Sequence, residues 1–107
     1  RTFCYVDDGV KATRLIMENP QTNGQTIHVG RSDDEIKIID LAKKLFEISG
    51  LKAQFDIRPA PQGSVKRRCS STLKLEKLGF KPEISLEQGL EKTYNWYRDR
   101  FLINPKI

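Results

Sequence analysis

A chain of 107 residues, 37% hydrophobic and 31% charged, has the composition of one globular domain with a modest core. It contains no apolar run near the roughly 18 to 20 residues that cross a bilayer, and no basic, apolar and small-residue layout of a signal peptide. These absences point to a cytoplasmic protein without a membrane partner, and the mild net charge of +5 does not by itself imply nucleic acid.

In chain order, Thr2 to Val6 alternates and is rich in aromatic and β-branched residues, which predicts a short strand. Asp7 or Asp8 is placed to cap a helix running to about Glu18, with Val10, Leu15, Ile16 and Met17 as its apolar face and Asn19-Pro20 as its stop. After the turn chemistry of 21–25, the segment 26–29 reads as a four-residue strand ending at Gly30. A polar loop, 31–35, precedes the clearest helix, Ile38 to Ser49, whose apolar residues recur at helical spacing. Gly50 stands where a left-handed C-cap is expected, with the apolar Leu51 behind it. Segment 53–58 alternates as a third strand, and the prolines and glycine of 59–68 make a loop.

Ser70, Ser71 or Thr72 then caps a short helix that ends at Gly79, just before Phe80. Ser85 and Gln88 form a capping box for a last helix from about Leu86 to Phe101, with Leu90, Tyr94 and Tyr97 as inward positions. The expected class is therefore α/β, a small mixed domain of about three short strands and four helices. Such short strands make a marginal sheet in isolation. The chain opens on Arg-Thr-Phe-Cys-Tyr-Val, already strand-like, and its only methionine is Met17, so a piece of a longer polypeptide is expected.

Chemistry-bearing residues are sparse. Cys4 and Cys69 lack CxxC or disulfide-framework spacing and are expected to be reduced, and His28 has no metal-ligand companion. The acidic clusters Asp7-Asp8 and Asp33-Asp34-Glu35 could run acid/base chemistry or hold a divalent ion, but helix capping and a solvated loop explain them more simply. No GxSxG elbow surrounds Ser70 and Ser71. Tyr94, Trp96 and Tyr97 suit a docking face better than a base-stacking platform. Lys66-Arg67-Arg68, with Arg58 upstream, admits three readings: a solvated charge run, a nucleic-acid patch or a phosphate clamp. Nucleic acid would need a longer basic stripe with interleaved aromatics. Cations on a loop beside a helix N-terminus favour an anion such as phosphate.

Three blocks carry a resemblance. "RTFCYVDDGVKA" (1–12) is similar to the R-x-F-x-Y-V-x-D segment of NAD-dependent nucleotide-sugar epimerases and dehydratases, the extended short-chain dehydrogenase/reductase family. "TIHVGRSDDEIKIIDLAKKL" (26–45) resembles that family's N-[IL]-G-x-x-x-x-x-[ST]-[IV]-x-[DE]-L-A stretch. "GSVKRRCSSTLKLEKLGFKPEISLEQGLEKTYNWY" (63–97) resembles its G-D-V-x-x-R-x-x-D-x-S-K-A-x-x-x-L-G-[WF]-x-P-x-[IV]-S-L-E-E-G-[IL] ending.

The resemblance implies the C-terminal lobe of such an enzyme. Its parent would hold NAD in an N-terminal Rossmann domain, bind a nucleoside-diphosphate sugar in the smaller lobe, and commonly form a homodimer. Residues 1–107 would be that nucleotide-sugar-binding lobe alone, with no NAD site, no catalytic residue and no metal. Neither a glycine fingerprint nor a Tyr-x-x-x-Lys pair occurs: Gly9, Arg98 and Phe101 follow Tyr5, Tyr94 and Tyr97 four residues on.

Matched residue by residue, the resemblance makes Arg1, Arg67 and Arg68 candidates for the substrate diphosphate, where an arginine fork fits phosphate geometry. Arg58 is a further candidate, although relatives often place that arginine two residues before the glycine, at Pro61 here. Ser64 stands where relatives carry an acidic partner of the ribose hydroxyl, and Ser71 where they carry an aspartate that caps the next helix. The rival expectation is a non-enzymatic binding module that uses the basic loop to hold an anionic partner.

Overall fold

The computed structural model describes residues 1–103. Four α-helices follow one another: α1 (Val6–Glu18), α2 (Ile38–Ser49), α3 (Leu73–Lys77) and α4 (Leu86–Tyr97). A 3-10 turn, Pro20–Thr22, follows α1, and α4 winds on as a π-helical turn over Arg98–Ile103. None of the described residues forms a β-strand. The three strands expected at 2–6, 26–29 and 53–58 are therefore not formed, and the four helices are. A strand exists only through its neighbour's hydrogen bonds, and here there is no neighbour to supply a ladder. Arg1 and Ile36 exchange one pair of main-chain bonds (2.8 and 2.9 Å), the unit of antiparallel pairing, and the pairing stops there.

Helix ends show which local signals suffice. Gly50 closes α2 in the left-handed conformation (φ 70°), where a Cβ would be strained. Ser85 accepts from the Gln88 backbone N–H while the Gln88 side chain accepts from the Ser85 N–H, completing the capping box of α4. At the end of α3, Phe80 N–H bonds Leu75 O and Gly79 N–H bonds Glu76 O, the paired bonds of a Schellman motif with Gly79 at φ 92°. That motif brings Phe80 against Leu75, and these two with Ala12 are the buried apolar core; Leu15, Ile16 and Ile27 pack around it.

Several details differ from the sequence expectation. Helix α1 begins at Val6 behind an uncapped Tyr5, so Asp7 and Asp8 lie inside the first turn, where carboxylates also suit the helix dipole. Val10 and Met17 face outward (61% and 81% exposed), and only Leu15 and Ile16 of the expected apolar face pack inward. Thr72 is the N-cap of α3 but does not cap with its side chain. Its hydroxyl donates to Glu76 Oε1 (2.5 Å) and lies 2.8 Å from Ser32 Oγ. Tyr97 is exposed, whereas Leu90 and Tyr94 are half-buried as expected. Every residue from 51 to 68 is exposed.

Candidate anion-binding cleft

Three segments converge on an open cleft of about 1030 Å³: Arg1, the run Glu35–Ile38 leading into α2, and the loop 60–67. Four of its side chains are cationic (Arg1, Lys37, Lys66 and Arg67), and Glu35 is the only carboxylate among them. The main-chain exchange between Arg1 and Ile36 fixes the first two segments to each other. The third is tied in by side chains, because Arg67 grips Glu35 with Nε (2.8 and 3.1 Å) and Nη2 (2.7 Å). The Arg67 guanidinium holds the Glu35 carboxyl below its ordinary pKa, and Glu35 in turn raises that of Arg67.

The loop that carries Glu35 is braced from beneath. Arg31, its side chain 8% exposed, forks onto Asp33 (2.8 and 2.7 Å), reaches Asp34 (2.9 Å) and donates to Ile84 O (2.7 Å). Asp34 accommodates this at φ 53°, a conformation that aspartate tolerates better than most residues. On the other side of Ile84, the buried Asp8 accepts the backbone N–H groups of Glu83 (3.1 Å) and Ile84 (2.9 Å) through one oxygen. Asp8 and Arg31 thus hold one short stretch of backbone from both sides, and so join α1, the acidic loop and the entry to α4.

Of the residues expected to meet phosphate, the fold brings together Arg1, Ser64 and Arg67, with Lys66 of the basic triplet beside them. Arg58 turns away onto Asp56 (2.6 Å), and Arg68 does not line the cleft. The start of α3 is not part of it either: Thr72 is buried, and the helix is five residues long. The acidic run is not merely solvated, since Asp33 and Asp34 hold Arg31 and Glu35 holds Arg67. Lys37 does not stand out in the sequence, and Glu35 does so only as one member of an acidic cluster read as a solvated loop. Their charge is ordinary for a loop, and only a partner 32 residues away gives Glu35 a role.

No family model matches the chain. It is 32% identical over 94% of its length to GDP-L-fucose synthase of Escherichia coli (strain K12), covering 35% of that protein. It is also 32% identical, over 92% of its length, to UDP-N-acetyl-alpha-D-glucosaminuronate decarboxylase of Bacillus cytotoxicus, covering 32% of it. A solved structure, UDP-glucuronic acid 4-epimerase of Bacillus cereus in complex with UDP-4-deoxy-4-fluoro-glucuronic acid and NAD, superposes with a TM-score of 0.82 at 28% identity. That match takes in 92% of this chain and 32% of the epimerase. The chain spans about a third of the length of the curated relatives it matches. The chain thus shares its backbone with part of that epimerase and is similar, over about a third of their length, to enzymes named for nucleotide sugars, and so resembles the NAD-dependent nucleotide-sugar epimerases and dehydratases.

Proposed function

We propose that residues 1–107 are the C-terminal, substrate-binding lobe of an NAD-dependent nucleoside-diphosphate-sugar epimerase or dehydratase, an isomerase or lyase, and that this lobe alone is not catalytic. The observation that carries the reading is the cleft in which Arg1, Ser64, Lys66 and Arg67 meet. A diphosphate carries two or more negative charges and needs several donors at once. An arginine supplies two parallel N–H groups to one phosphoryl, a lysine supplies a mobile point charge, and a serine hydroxyl bonds to either kind of group.

In this reading Arg67 meets one phosphoryl group, Arg1 and Lys66 neutralise the remainder, and Ser64 lies nearest the ribose. Arg58 and Arg68 have no place in the cleft and carry no part of the proposal. NAD does not fit the residues present, because no glycine-rich strand-turn-helix fingerprint occurs in the chain. In the parent enzyme NAD belongs to an N-terminal Rossmann domain, and the parent is a cytoplasmic homodimer. No helix among the described residues is long and apolar enough to cross a membrane.

Isothermal titration of the chain with uridine, thymidine, guanosine and cytidine diphosphate sugars tests the reading. Weak binding, further weakened by Arg67→Ala, is expected for at least one of them, with no turnover when NAD is added. Failure of the whole panel to bind would sink the substrate assignment, and turnover would sink the claim that the lobe is inactive alone.

A further inference from the structure

Arg67 extends from a segment, 51–68, in which every residue is exposed and no regular element forms. Nothing local orients its side chain. The one side-chain contact that does is Glu35, through Nε and Nη2, across 32 residues. This engages one edge of the guanidinium. The other terminal nitrogen, Nη1, makes no hydrogen bond among the described residues, so the Nη1/Nη2 end of the fork stays available while the Nε edge is held. Glu35 is itself fixed, since the neighbouring Ile36 is bonded through both main-chain groups to Arg1 and Arg31 braces the loop that carries them.

We propose that Glu35 is a positioning residue for anion binding: it holds the Nε edge of Arg67 so that the free end of the fork points an aligned pair of donors at a phosphoryl group. The proposal rests on reading the cleft as a diphosphate site. It runs against simple charge counting. As the only carboxylate of the cleft, Glu35 should repel an anion, and removing its charge should strengthen binding through electrostatics alone. A fork released from Glu35 regains the rotamer freedom of a long exposed side chain, and binding must then order it again. The two accounts therefore differ in sign.

The test uses inorganic pyrophosphate as the probe, titrated into the unaltered chain and into Glu35→Gln, Arg67→Ala and the double variant at fixed salt. Positioning predicts that Glu35→Gln weakens binding by roughly two- to fivefold, the scale of an exposed ion pair. It also predicts that in the Arg67→Ala background the same change no longer weakens binding and slightly strengthens it. The Arg67 Nε–H resonance reports the geometry directly: in the unaltered chain it should stand apart from the free arginine signals, and in Glu35→Gln it should join them. Unchanged or tighter binding by Glu35→Gln, while Arg67→Ala weakens it, overturns the role of Glu35 and leaves the cleft reading standing. No binding by the unaltered chain, or no effect of Arg67→Ala, overturns the cleft reading and the positioning role with it.

Discussion

Asp8 is fully buried, yet it does not cap its helix; its carboxylate serves as the acceptor for the backbone N–H groups of Glu83 and Ile84. Two N–H groups taken out of water need an acceptor, and a carboxylate supplies stronger bonds than a neutral group. Asp8→Ala strands both donors and should cost about 2 kcal/mol in a urea unfolding curve. Asp8→Asn keeps an acceptor and should cost clearly less. Arg31, on the far side of Ile84, gives a pH-dependent readout. Its hydrogen bonds hold Asp33 below the ordinary carboxylate value of 3.8. Because the folded pKa is the lower one, this contribution is fully present above about pH 4. It disappears as pH falls through the depressed value. Asp33 is largely exposed, so the effect is small. The urea midpoint of Asp33→Asn, followed from pH 7 to pH 3, should fall less steeply than that of the unaltered chain; equal slopes would assign the acid loss to other carboxylates.

Helix α4 shows how neighbouring elements set the effect of a local change. Gly89 is buried within it, and a Cβ there would stand 3.2 Å from Cδ2 and 3.4 Å from Cβ of Tyr5. Alanine is favoured over glycine in a helix interior by about 1 kcal/mol, so crowding by Tyr5 opposes the intrinsic gain. Gly89→Ala should be near neutral in the unaltered chain and stabilising by about 1 kcal/mol in a Tyr5→Ala background, a coupling that a double-mutant cycle measures. An equal effect in both backgrounds would show that Tyr5 yields freely. Such partners also mark what could be read in advance. The bounds of α2, the left-handed Gly50 and the Ser85–Gln88 box follow from residues within five positions of one another, and sequence reading found them. The strands, the role of Asp8 and the Arg67–Glu35 grip depend on groups 32 or more residues away or on absent pairing, and no local period encodes those. Arg1 and Ser64 reached the candidate set through family resemblance alone and Arg67 through the basic loop as well, whereas Arg58 and Arg68, named on the same grounds as Arg67, lie outside the cleft.

At the scale of the molecule, the chain folds around too little core. Its radius of gyration is 16.9 Å, against about 13 Å for a compact domain of this length. Among the described residues, three buried apolar ones stand beside exposed Val6, Val10, Met17, Ile57 and Leu73. A segment such as 53–58 alternates in the manner of a strand but lies entirely exposed, Ile57 at 84%. The thermodynamic consequence follows from area alone. The dependence of unfolding free energy on urea scales with the surface newly exposed, and small domains span about 1 to 3 kcal/mol per molar urea. With large apolar side chains such as Val6, Val10, Met17, Ile57 and Leu73 already in contact with water, this chain should unfold with a slope at or below about 1 kcal/mol per molar, independent of protein concentration. A slope near the middle of that range at every concentration would mean that the exposed residues find a core within the single chain. One that steepens with concentration would mean that two copies cover each other instead.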